Sequence, residues 1–240
     1  MRATKRGAVA DLAAICQIIW MPRNPDILQL KTRLLGISPM IWRRVGISSA
    51  ITLRELHGIL QVAMGWDGIH LFQFDIRAVF YGSWELHSSN PDVPLSDFGL
   101  RRNDRFLYLY DMGSFWQHEV RVEALLNENP KRTYPICTGG SGACPPEDCG
   151  GVEGFLARRD EAEGYDAWCD TDILFGFGKE LLELHDTGRD LAELDLEDVR
   201  LALDRMKARE PYVSDRFSRK QVNDRFRANK HRELMHQQLI

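Results

Sequence analysis

Three stretches of this chain carry side chains that could do chemistry. The first is Cys137-x6-Cys144-x4-Cys149. Three thiolates on one loop can converge on zinc, with His118 or an acidic side chain as the fourth ligand. No Cys-x-x-Cys knuckle is present, so the alternative is a set of small, half-buried thiols in a Gly/Pro-rich loop. The second stretch is Asp111-x-Gly113-x-x-Trp116-x-His118-Glu119. In a strand, residues 116 and 118 share one face and 119 takes the other. Asp111 and His118 across a tight turn would make an acid/base or metal pair. The alternative packs Trp116 into the core and ties His118 to a backbone carbonyl. The third is Pro145-Pro146-Glu147-Asp148, a stiffened loop presenting adjacent carboxylates. They could bind a divalent cation or act as a base, or Asp148 could cap a helix starting near Gly151. The candidate catalytic set is thus Asp111, His118, Glu147 and Asp148. The candidate metal set is Cys137, Cys144, Cys149 and His118, with zinc or another divalent cation as the implied cofactor.

The elements that must position these residues are legible in part. Ile27 to Leu35 alternates, with Leu28, Leu30, Thr32 and Leu34 on one face, as in a half-buried strand. Gly36 to Pro39 turns the chain, and Met40 to Ile47 reads as a second strand. Within it Arg43 and Arg44 face opposite ways, and the inner one needs a carboxylate partner. Thr52-Leu53-Arg54-Glu55 forms a capping box. A helix runs from it to Met64, with Gly65 as breaker and His57 at the border of its apolar face. His70 to Phe80 alternates again, and residues 88–104 read as a polar loop. Phe106–Tyr110 and Phe115–Val122 are strands joined by a turn through Gly113. Residues 127–151 read as an irregular loop dense in Pro, Gly and Cys. Helices are expected over about 151–163, 178–187 and 196–208. Another is expected at 8–21, before the linker Pro22-Asn24-Pro25. Residues 211–240 hold seven basic side chains against three acidic ones, a local charge of +4. They read as a solvated helix or a partner-binding arm, with nucleic acid as a further partner because Phe217, Val222 and Phe226 interleave with arginines.

Composition narrows the classes. Hydrophobic residues at 44% and charged residues at 28% exclude bulk disorder and fibrous repeats. A net charge of −4 gives no global attraction to nucleic acid or to an anionic membrane. No apolar run reaches the roughly 20 residues of a membrane span, and no cleavable leader is expected. The five cysteines, three of them clustered, fit a reducing cytoplasm better than a secreted disulfide framework. No phosphate-binding Gly-x4-Gly-Lys-Ser/Thr, no Gly-x-Ser-x-Gly elbow and no His-Glu-x-x-His is present. This argues against P-loop, α/β-hydrolase and zincin chemistry.

Several blocks, taken in order, resemble one family. They are Pro39-x-Ile41-Trp42-Arg43-Arg44, Thr52-Leu53-x-x-Leu56-His57 and Gly65-Trp66-x3-His70-Leu71-x-x-Phe74. Later come Tyr108-x-Tyr110-Asp111-x-Gly113-x-x-Trp116-x-His118 and Cys144-Pro145-Pro146-Glu147-Asp148-Cys149-Gly150-Gly151. Leu194-Asp195-Leu196-Glu197-Asp198-Val199 looks like the closing helix. The chain resembles the plasmid pRiA4b ORF-3-like family over about residues 27–206. Insertion-element members of that family carry a TnpR-like label. The resemblance implies an α+β roll. The family pattern Tyr-Asp-Phe-Gly-Asp-x-Trp-x-His is met here by Met112 and Ser114 in place of Phe and the second Asp. If that aspartate ligates a metal or acts as a base, Ser114 cannot replace it.

The expected architecture is therefore α+β: one α/β-roll-like domain with a mainly antiparallel sheet flanked by helices. An N-terminal helix and linker occupy 1–26, the domain 27–209 and a basic tail 210–240. The leading functional expectation is a cytoplasmic, mobile-element-associated binding protein without catalysis of its own, with an unidentified ligand or protein partner. The rivals are a metal-dependent hydrolase or nuclease using Asp111, His118, Glu147 and Asp148, and a nucleic-acid-binding accessory factor acting through the tail. The turn 111–114, residues 116–119 and the loop 137–151 should meet in space, because a long loop this rich in Pro, Gly and Cys needs a surface to pack on.

Overall fold

The computed structural model describes residues 27–188, 190, 192, 194–208 and 216–236. The helix expected at 8–21 lies outside these residues. Seven strands form one sheet: β1 (Ile27–Leu34), β2 (Trp42–Ser48), β3 (Phe72–Ile76), β4 (Val79–Gly82), β5 (Arg105–Tyr110), β6 (Trp116–Leu126) and β7 (Ile136–Ser141). Their order is β4-β3-β5-β6-β1-β2-β7, and every neighbouring pair is antiparallel. The helices are α1 (Leu53–Met64), α2 (Gly151–Glu163), α3 (Tyr165–Thr187), α4 (Glu197–Ala208), α5 (Arg219–Arg227) and α6 (Lys230–Leu234). The architecture is α+β, as the order of elements predicts. Among the described residues no helix is long and apolar enough to cross a membrane.

Among the described residues, one face of the sheet is buried and the other is partly exposed. In β1, Leu28, Leu30, Thr32 and Leu34 are buried while Gln29, Lys31 and Arg33 are half-exposed. The buried face packs with α1, whose capping box forms: Thr52 Oγ1 accepts the Glu55 N–H at 3.2 Å, and Glu55 accepts the Thr52 N–H at 2.8 Å. The helix ends at Gly65, at φ 100°, a left-handed conformation open to glycine at no steric cost. The chain then turns Trp66 inward, where it is buried.

Four local expectations change. His70–Phe80 is not one strand, because Arg77 and Ala78 take φ 55° and 62° and fold it into the β3–β4 hairpin. The stretch 127–151 is not irregular throughout, because β7 runs along β2, with Trp42 opposite Ser141 and Val45 opposite Cys137. The third helix begins at Tyr165 rather than near 178, and it leaves Tyr165, Trp168, Phe175 and Leu182 exposed. The basic tail is no solvated arm over 216–236. Val222, Phe226 and Leu234 join the main core, and a side chain at Gly58 would collide with the His231 carbonyl 2.1 Å away. Asn223 fastens α5 to β7: its Oδ1 accepts the Cys137 N–H at 2.8 Å, and its Nδ2 donates to the Cys137 carbonyl at 3.0 Å.

Beneath the sheet lies a small polar group. His57 stacks on Phe72 with ring centres 4.0 Å apart, and its Nδ1 lies 2.7 Å from the Tyr108 hydroxyl. Gln61 Nε2 donates to the same hydroxyl at 2.7 Å. Burial alone would make charge here expensive, and it pushes the His57 pKa down from 6.5 to about 3.

Candidate functional site

The site is built where three segments end together. The Asp111 N–H donates to the Leu71 carbonyl at 3.0 Å, which extends the β3–β5 pairing by one step. That places His70, just before β3, beside Asp111, just after β5. Asp111 takes φ 55° and starts the turn, a role Asp tolerates better than most residues. Its Oδ1 accepts the Gly113 N–H at 3.0 Å. Its Oδ2 lies 3.9 Å from His70 Nε2, and Asp111 is only 8% exposed. The third segment is the loop after β7. Asp148 Oδ1 lies 2.9 Å from the same His70 nitrogen, with a largely exposed side chain. One ligand atom from each of His70, Asp111 and Asp148 lies within 4.8 Å of the others.

The loop is pinned from several sides. Trp66 Nε1 donates to the Pro145 carbonyl at 2.8 Å, and Trp116 Nε1 donates to the Glu147 carbonyl at 3.0 Å. The Glu147 carboxylate accepts from the Tyr110 hydroxyl and, at 2.8 Å, from the Asp67 N–H. Burial and the adjacent Glu147 hold the Tyr110 hydroxyl well above its usual range, so it stays a donor. Gly151, at φ 71°, lets the start of α2 lie against Ser114, whose carbonyl would be 2.1 Å from any added Cβ. The turn 111–114, the start of β6 and the loop thus touch one another.

The candidate catalytic set divides. Asp111 and Asp148 come together; Glu147 is occupied by Tyr110 and the Asp67 amide. His118 sits elsewhere. It is completely buried, its Nδ1 lies 3.3 Å from the Tyr108 carbonyl, and its ring packs edge-on against Trp66. Burial pushes its pKa from 6.5 down to about 4. The face it shares with Trp116 is the core face of the sheet, and the site opens at the strand end instead. Asp148 is not a helix cap, since Gly150 holds the N-cap position of α2 and no side chain bonds there.

The proposed thiolate site is corrected as well. Among the described residues Cys137, Cys144, Cys149 and His118 form no shared ligand group; the one group of three or more is His70, Asp111 and Asp148. Cys137 lies within β7, its Sγ 3.5 Å from the Gly139 carbonyl, and Cys149 Sγ faces the Gly151 carbonyl. All three are buried free thiols, and burial pushes Cys144 up to about 12. His70 is the residue that motif reading missed. It stood in the Gly65-Trp66-x3-His70 block, but its partnership with Asp111 depends on the β3–β5 register.

The family model described as plasmid pRiA4b ORF-3-like protein matches residues 26–168, which include His70, Asp111 and Asp148. The uncharacterized protein y4hQ of Sinorhizobium fredii (strain NBRC 101917 / NGR234) is 33% identical over 146 residues, 54% of this chain and 70% of its own length. A crystal structure of a protein of unknown function, MM3350 from Methanosarcina mazei Go1, superposes with a TM-score of 0.54 at 33% identity, covering 58% of this chain and 82% of that one. The matched blocks, the antiparallel sheet and the pinned Cys144–Gly151 loop agree: this chain belongs to the plasmid pRiA4b ORF-3-like family.

Proposed function

We propose that this protein is a binding protein organised around a divalent-cation centre at His70, Asp111 and Asp148. One observation carries the reading: three ligand atoms from three separate segments lie within 4.8 Å of one another, and the loop that brings Asp148 is held by both Trp66 and Trp116. One imidazole nitrogen and two carboxylate oxygens suit Mn2+, Zn2+ or Fe2+, with no thiolate in the set. Asp111 is oriented by the Gly113 amide, as ligands commonly are by a second partner. Free cysteines support a reducing, cytoplasmic setting.

The test is a titration of chelator-treated protein with Mn2+ and Zn2+, followed by calorimetry and, for Mn2+, electron paramagnetic resonance. One ion per chain is expected. Asp111→Asn should weaken binding at least about tenfold, the usual cost of losing a ligand or its orienting partner, while Cys144→Ser should leave it unchanged. Equal affinity in Asp111→Asn, or no uptake by the wild type, would overturn the reading.

A second reading, a metal-dependent hydrolase, is favoured by the ligand count. Three protein ligands leave coordination positions for water and substrate, as in catalytic zinc sites. Mn2+-dependent cleavage of a phosphodiester or ester that is lost in Asp148→Asn would establish it. The accessory-factor reading has less support. Arg227 is paired with Asp224 and Lys230 with Glu233, and Val222 and Phe226 point into the core.

A further inference from the structure

On the other side of the Pro145–Glu147 loop lies a cleft of about 650 Å3 between the end of α1, that loop and residues 216–225. Its floor includes Arg43, which is 2% exposed. A buried arginine calls for a carboxylate partner, and the described residues supply none. Nε donates to the Ala63 carbonyl at 2.8 Å, and Nη1 donates to the Trp42 and Ser141 carbonyls, each at 2.9 Å. A guanidinium has five N–H donors. Three are spent on neutral carbonyls, and among the described residues Nη2 donates no hydrogen bond. The ring of Phe217, 4.5 Å from the Arg43 carbon, holds the guanidinium flat. The ionisable side chains that act on Arg43 are Cys144 and Cys137, thiols whose ionisation burial disfavours. A buried cation without a counter-charge is costly, and an anion that reached it would offset that cost.

Two further features meet this cation. The amino end of α5 opens on the cleft through Ser218 and Gln221. Ser218 caps only the Gln221 amide, so the first helical N–H groups and the positive end of the helix dipole remain available. Arg216 and Arg225 also border the cleft; among the described residues neither is in an ion pair, and Arg225 Nη2 donates to the Trp66 carbonyl at 3.5 Å. Of the acidic side chains on the rim, Asp224 is held by Arg227 and Glu147 by Tyr110, which leaves Asp67. Val62, Met64 and Pro146 supply apolar wall. The volume lies in the usual range for a small-molecule site.

We propose that this cleft binds a small organic oxyanion, a phosphate or carboxylate on an apolar body, with Arg43 Nη2 and the α5 amino end holding the charged group. The site does not share a residue with the cation centre, so it stands or falls separately.

The experiment titrates the full chain with inorganic phosphate, phenyl phosphate and benzoate, with binding read by calorimetry and by shifts of amide resonances of residues 216–221. Saturable binding below about 1 mM is expected for one of the two organic anions, more tightly than for inorganic phosphate. Phenyl phosphate against benzoate identifies the head group. Arg43→Met should lower affinity at least about tenfold, as expected for a lost charge-assisted pair. Because Arg43 is buried, Arg216→Ala is the control that leaves the core intact, and it should weaken binding severalfold. Asp148→Asn should bind normally. The proposal is overturned if none of the three anions saturates up to about 10 mM. It is also overturned if Arg216→Ala and a folded Arg43→Met bind like the wild type, or if Asp148→Asn abolishes binding, which would place the anion at the cation centre.

Discussion

Mild acid should destabilise this fold through two histidines that have no room for a proton. His57 and His118 are both fully buried, and each has an Nε2 with no hydrogen-bond partner. Their pKa values are pushed down to about 3 and about 4, against 6.5 in the unfolded chain. The folded value is the lower one, so the stability they contribute is complete above pH 6.5. It is lost as pH falls, because the unfolded chain then binds more protons than the native one. Each pH unit below 6.5 costs about 1.4 kcal/mol per histidine until the native value is reached. At pH 5 the two together cost about 4 kcal/mol relative to pH 8. For a chain of this size that is a fall in Tm of about 10 °C. The buried His231 acts in the same direction. Glu119, Glu123 and Asp92, held low by their arginines, contribute mainly at lower pH, so the interval from pH 8 to 5 isolates the histidines. The assay is thermal unfolding followed by circular dichroism at fixed ionic strength. His57→Phe keeps the ring that stacks on Phe72 and leaves the Tyr108 hydroxyl its bond from Gln61. It should remove about half of the pH 8-to-5 loss, whatever it does to stability at pH 8. A wild-type Tm that is flat over this interval, or a slope unchanged in His57→Phe, would refute the reasoning.

Gly151→Ala forces a side chain into left-handed backbone against the Ser114 carbonyl. It should cost about 1–3 kcal/mol from the backbone alone, read by urea unfolding, and weaken Mn2+ uptake by displacing Asp148. Thr52→Ala removes the hydroxyl half of the capping box. A loss of about 1 kcal/mol is expected in the same assay, and no loss would mean that the helix start is held by packing alone. Phe226→Ala empties a buried position between α5 and the core. It should cost about 3–5 kcal/mol and raise amide exchange across 216–236 more than across β1.

The elements that could be read directly were those with one buried face and one solvated face. The alternation of β1 and the Thr52–Glu55 box each state their geometry within a few residues. β7 was hidden because Ile-Cys-Thr-Gly-Gly-Ser has no alternation. Its Gly140 is there because the Phe217 ring lies 2.7 Å from where a Cβ would be, a contact with a residue far along the chain. The β3–β4 turn was hidden because Arg77 and Ala78 carry no glycine signal. At the candidate site, the loops themselves point to Asp111 and Asp148. Strand parity puts His118 on the inward face, but that face leads into the core. His70 reaches Asp111 only through the pairing of β3 with β5, which no local pattern states.

The clasp of Asn223 on Cys137 bears on where this protein can be cut. A sheet's outer strand offers bare peptide groups that invite a strand from another molecule. On β7 one such invitation is answered by a side-chain amide, which has the same donor and acceptor as a peptide and cannot be extended into a further strand. The opposite margin, β4, is only four residues long and carries exposed Val79 and Phe80. A fragment trimmed to the family match at residue 168 would lose Asn223, Val222 and Phe226 together. It would present an unguarded strand beside a freshly bared apolar patch, and self-association through β7 is the expected fate of that fragment. Residues 216–236 therefore shield the edge of β7 as well as filling the core.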